Sequence, residues 1–267
     1  MANLTRSAKP GSDWTRYELT AYNITIVPIP PDQFFPTPDP PLDVIDPAIL
    51  DSSESDRPSS EISARYLKYL YLASTPSRVA FAPSFAAETL RLLGFDDGRS
   101  IVTVQHYAIP FTICCNTIST PLTDVCLFNL HPIFILLVLI VDKTPDGIGP
   151  ASQAIAGAIA AFQFNNMRRR EYGLKRLDAM TIPCITMVQT RPTFYLVPVT
   201  TALCNAVVSG MFPATQTKVP YCPTIPAHMK YASLGAQDTE YRKLILKRFL
   251  AFKALAKTHW EQIFEEA

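Results

Sequence analysis

The chain has 267 residues, 48% of them hydrophobic and only 18% charged, and its formal net charge is +1. That composition excludes wholesale disorder and supplies enough apolar side chain for a sizeable core. A charge so near neutral gives no global field for nucleic acid, so any such binding has to come from a local patch.

Residues 1–13 are polar and lack the apolar core of a signal peptide. The most apolar run, Ile133 to Val141, is far shorter than the roughly 20 residues a membrane helix needs. It is rich in β-branched residues and reads as a buried strand. The expectation is an intracellular protein, cytoplasmic or nuclear, with no membrane segment. The six cysteines (Cys114, Cys115, Cys126, Cys184, Cys204 and Cys222) include no C-x-x-C pair. Buried free thiols are therefore expected in preference to a zinc site. With 9 glycines against 24 prolines, the loops should be stiff and extended.

In chain order, Trp14-Thr15-Arg16-Tyr17-Glu18-Leu19 predicts a short helix leading into a strand over Tyr22 to Val27. From Pro28 to Pro58 the chain is dominated by Pro, Asp and Ser and predicts an extended arm. The domain division is thus an N-terminal arm over 1–58 and an α/β domain over 59–267. An amphipathic helix follows over Glu61 to Ala73. A second has Ser84 as its N-cap and Gly94 as its stop. Strands are predicted at Ser100 to Tyr107, Phe111 to Cys115, Asp124 to Asn129 and Phe134 to Asp142. His131-Pro132 turns the last two into an antiparallel hairpin.

A long helix from Ser152 to Arg170 begins Ala-rich, which allows close approach to a sheet. It ends on Arg168-Arg169-Arg170, cations that suit the negative end of its dipole. Strands over Pro183 to Gln189 and Thr193 to Val199, turning at Arg191-Pro192, a helix over Thr200 to Gly210 and a helix over Thr239 to Glu265 complete the chain. The fold class is α/β: a mixed central sheet around an antiparallel hairpin, with helices on both faces.

The hairpin carries the one constellation with chemical meaning. Asp124 starts one strand, and Asp142-Lys143 end its neighbour, so two carboxylates and a lysine converge at one sheet edge. Carboxylates there can hold a divalent cation against a phosphate, and the lysine can stabilise developing negative charge. Gln153, in the first turn of the long helix, is the polar residue placed to face such a site.

This order (helix, Asp at a strand start, acid-x-Lys at the next strand's end, helix with Gln, then a strand pair) resembles the PD-(D/E)XK nuclease superfamily. More closely, the chain resembles a much-duplicated family of fungal proteins typical of mushrooms. The resemblance runs through Trp14 to Thr25, Leu93-Gly94-Phe95-Asp96-Asp97, Thr123-Asp124-Val125-Cys126, Asp142-Lys143, Ala156 to Asn166 and Ile182 to Val188. It implies a restriction-endonuclease-like fold with Asp124, Asp142, Lys143 and Gln153 as the catalytic set. Asp124 and Asp142 would be the ligands of a magnesium ion if the site is active.

One departure weakens that implication. The family pattern places an acid immediately before Asp-Lys, where this chain has Val141. Strand alternation sets Val141 and Lys143 on one face and Asp142 on the other, so the second metal carboxylate is missing unless a bulge re-aims Asp142. Three functions follow as expectations. They are a nuclease-like fold with a degenerate site and no cofactor, acting as a binding or interaction module; an active magnesium-dependent nuclease; and a self-assembling structural protein using its proline-rich arm for homo-oligomer contacts. Arg168, Arg169 and Arg170 form the local basic patch that could contact nucleic acid.

Overall fold

The run from Ile133 to Val141 is apolar at every position, a pattern that needs burial on both faces. The computed structural model describes residues 8–51, 60–75, 80–117, 121–142, 149–226 and 234–264. It places this run as β4 (Ile133–Asp142), an interior strand of a seven-stranded sheet. The other strands are β1 (Ile24–Pro28), β2 (Ile101–Ala108), β3 (Leu122–Leu130), β5 (Ala179–Val188), β6 (Arg191–Thr200) and β7 (Thr217–Pro223). Their order is β1-β7-β6-β5-β4-β3-β2. The pairs β4–β5 and β1–β7 are parallel and the rest antiparallel. The fold is the mixed α/β arrangement that the sequence predicts.

The parallel β4–β5 pair requires a crossover, supplied by α6 (Pro150–Glu171). Its buried small residues, Ala154, Ala156, Ala158, Ala160 and Ala161, let it lie close to the sheet. At Gly157 the approach is closest, since a Cβ there would sit 2.9 Å from Cγ1 of Val138. The short α1 (Arg16–Ala21) and α7 (Thr201–Ser209) pack beside α6. On the opposite face lie α4 (Glu61–Ser74), α5 (Ala82–Leu92) and α8 (Thr239–Phe264). Phe194 of β6 anchors α8 there, with its ring 5.2 Å from Phe249 and 4.8 Å from Phe252. Phe194→Ala should lower the unfolding free energy by about 3–5 kcal/mol, read from urea denaturation.

Within the β3–β4 hairpin, Leu127 pairs with Leu137 but Phe128 pairs with Ile135, so Leu136 is a bulged extra residue. The bulge interrupts the ladder, and side chains supply the missing partners. Trp260 donates to the Leu136 carbonyl at 2.9 Å. Asn165 clasps both backbone groups of Ile135, at 2.8 and 2.9 Å. The predicted turn at His131-Pro132 is present, with a cis peptide bond.

Some expectations differ from the structure. Phe111 to Cys115 is not a strand. Ile113 and Asn116 form an isolated bridge, and Cys114 and Cys115 turn between them with positive φ. The β5–β6 turn falls at Gln189-Thr190, where Gln189 takes φ 56°, and not at Arg191-Pro192. Helix α5 begins at Ala82 without a side-chain cap, so Ser84 lies inside it. Strand β7 was hidden by Pro220 and Pro223, residues that ordinarily count against a strand.

The segment expected as an extended arm contains α2 (Pro31–Phe34) and α3 (Pro47–Asp51), and β1 before it is a strand of the sheet. It buries Phe34, Phe35, Ile45 and Ile49. Phe35 meets Phe194 at 5.7 Å and Phe34 meets Phe252 at 6.4 Å. Apolar residues that composition hid among prolines are thus packed within the same chain.

Candidate metal centre at the fork of β3 and β4

The β3–β4 ladder ends at Val125↔Leu139. Beyond it β4 stays paired with β5 as far as Asp142↔Val188, while β3 stays paired with β2 as far as Leu122↔Ala108. β3 and β4 therefore fork, and Asp124 sits in the fork. Its Oδ2 accepts from the backbone N–H of Val141 at 2.8 Å. A carboxylate supplies the acceptor that β3 no longer offers, which keeps a buried N–H satisfied.

The strand also rotates here. Thr123 and Cys126 meet at 3.0 Å between Oγ1 and Sγ, although residues three apart on a regular strand point to opposite faces. His106, with φ 53°, lies between the β2 residues paired to either side of Asp124. Regular alternation therefore does not fix the direction of Asp124.

On β4 the alternation is regular, because the pairing with β5 is unbroken from Val138 to Asp142. Val138 faces Gly157 of α6, so Ile140 and Asp142 share the α6 side. Leu139 and Val141 take the other side, the one on which Ile185 pairs with Phe194 beneath α8. Val141 is 4% exposed, in the core. The bulge at Leu136 lies upstream of this stretch and leaves Asp142 opposite in direction to Val141. Asp124 and Asp142 are both buried, 7% and 8% exposed. Lys143 lies outside the described residues. Gln153 is in the first turn of α6, where its amide nitrogen packs back over Gly149.

A resident magnesium ion needs near-octahedral oxygen donors at about 2.0–2.1 Å. Val141 offers none, Asp124 has one oxygen directed at a backbone N–H, and Asp142 leaves β4 on the α6 side. Among the described residues, these positions therefore show less than an octahedral oxygen set. Among the described residues, no three His, Cys, Asp or Glu side chains converge as a metal-holding group. The six cysteines are all free, and burial pushes the Cys126 thiol up to about 12.

The basic run divides three ways. Arg168 pairs with Glu171 and donates to the Tyr172 hydroxyl at 3.0 Å. Arg169 is fully buried and donates to the carbonyls of Lys175, at 2.7 Å, and Ile263, at 2.6 Å. Only Arg170 is exposed, beside a recess that also holds Arg176, so the three do not form one patch. The structure also corrects the reading of Glu88, a carboxylate on α5 that the sequence offers as a substitute acid for the site or, more simply, as an exposed-face residue. It is 3% exposed, not on an exposed face, and bridges Arg65 at 2.6 Å and Arg91 at 2.8 Å. Its signal was the Arg91 three residues on. No helix among the described residues is long and apolar enough to cross a membrane. No protein-family model matches the chain, and no curated protein matches it in sequence.

Proposed function

We propose that this protein is a nuclease-like α/β domain whose metal site has degenerated, and that it acts as a binding module without cleaving phosphodiester bonds. The observation that carries this reading is the hydrogen bond from the Val141 N–H to the Asp124 carboxylate. The residue standing at the expected acid position lends the fork a backbone donor, and its side chain is buried in the α8-side core. Asp124 is thereby a structural acceptor that closes the fork. Its likeness in position to a metal-ligating aspartate is one part of the PD-(D/E)XK resemblance.

The test is cleavage of single- and double-stranded DNA and RNA with magnesium or manganese, run on the protein and on Lys143→Ala. No metal-dependent product should form above that of the variant. Cleavage abolished by Lys143→Ala would overturn the proposal and establish an active nuclease. Self-association is not needed for this reading, because Phe34, Phe35, Ile45 and Ile49 of the N-terminal segment are buried within the chain.

A further inference from the structure

Between the C-terminal half of α6 and the first turns of α7 lies a recess of about 330 Å³. That is at the lower end of the size range of small-molecule sites. Its polar residues fall into two groups. Gln163 is closed on both backbone groups of Thr112, Asn166 on both backbone groups of Leu177, and the Thr201 hydroxyl on the Asp178 carbonyl. These build the wall. The guanidinium groups of Arg170 and Arg176, the Asp178 carboxylate and the Asn205 carboxamide make no side-chain hydrogen bond or ion pair with any described residue.

We infer that this recess binds a small phosphomonoester whose body carries hydroxyl groups, such as a mononucleotide or a sugar phosphate. Arg170 and Arg176 both line the recess and pair with no carboxylate among the described residues, and their guanidinium groups suit a dianionic phosphate, which each can engage with paired N–H donors. The positive end of α7, entering through Thr201, adds to the same field. Among the lining residues, burial holds the Cys204 thiol above its ordinary range, so it stays protonated and neutral beside a bound anion. Asp178 and Asn205 supply acceptors for hydroxyl groups of the same molecule, which distinguishes an ester from free phosphate. The inference is independent of the fork, since none of Asp124, Val141 and Asp142 lines the recess.

Calorimetric titration of the full chain at about 0.15 M salt, where exposed charges are screened beyond about 8 Å, tests this. The probes are adenosine 5′-monophosphate, ribose 5-phosphate, adenosine and inorganic phosphate. Both phosphomonoesters should bind, at least tenfold more tightly than adenosine or inorganic phosphate. The double variant R170A/R176A should lose at least tenfold for the esters, while Arg16→Ala, on α1, should not. Tighter binding of the nucleotide than of the sugar phosphate would identify a base-recognising site, and equal binding a sugar-phosphate site. Because Arg170 and Arg176 are exposed, the double variant should keep its unfolding midpoint, which is measured alongside. Ester binding unaffected by R170A/R176A, adenosine binding as tightly as its monophosphate, or no ester binding at all would overturn the inference.

Discussion

Replacing Arg169 by alanine is expected to destabilise the protein by about 3–5 kcal/mol, the largest effect of any single arginine in the α6 run. The side chain is fully buried and donates from Nε to the Lys175 carbonyl and from Nη1 to the Ile263 carbonyl. Ile263 lies in the last turn of α8, where backbone carbonyls have no partner within the helix. Arg169 thus ties the end of α8 to the loop between α6 and β5. Alanine would strand two buried acceptors, at about 1–3 kcal/mol each, and leave a cavity. Arg168→Ala and Arg170→Ala should each stay within about 0.5 kcal/mol. Urea denaturation of the three variants provides the comparison. An Arg169 variant as mild as its neighbours would contradict the structural role.

The second large effect is expected when the missing acid is put back. Val141→Glu should cost roughly 3–5 kcal/mol at neutral pH and should create no metal-dependent cleavage. Position 141 is 4% exposed and faces the α8-side core, so the new carboxyl would be buried among apolar groups. Burial disfavours the charged form and raises the folded-state carboxyl above its unfolded value of about 4.3. The unfolded state then ionises first as pH rises. The variant is least penalised below about pH 4, and loses stability progressively as pH climbs from there towards the folded-state value. Val141→Gln should carry the cost of size and polarity without this slope. Denaturation of both variants between pH 4 and 8 separates the two. A glutamate variant as stable as the parent at pH 8 would mean that position 141 opens to solvent.

Much of the architecture was legible because it rests on periodicity. The continuous apolar run of β4 required burial on both faces, and the Ala-rich start of α6 required close approach to a sheet. What escaped depended on contacts between distant parts of the chain. Strand β7 exists because β1 and β6 lie on either side of it, against the local preference of Pro220 and Pro223. The N-terminal segment looked unable to fold, yet Phe35 finds Phe194 some 160 residues on. Arg168, Arg169 and Arg170 are adjacent in sequence, but successive helical residues point about 100° apart, so one helix sends them to three environments.

The site was legible to a similar depth. Residue order placed Asp124 beside the end of β4, and strand alternation put Val141 and Asp142 on opposite faces, as the pairing with β5 shows. Neither signal discloses the bond between the Asp124 carboxylate and the Val141 N–H, because a fork between strands leaves no mark on hydrophobic period. The bulge at Leu136 was equally invisible. Its partners, Asn165 and Trp260, come from α6 and α8.

Whether the fork holds only a backbone N–H or a cation is read out by manganese titration followed through water proton relaxation. The protein should show no saturable site below about 1 mM, and Asp142→Asn should leave the titration unchanged. One-to-one binding in the micromolar range that Asp142→Asn abolishes would assign the fork to a metal and overturn the structural role of Asp124.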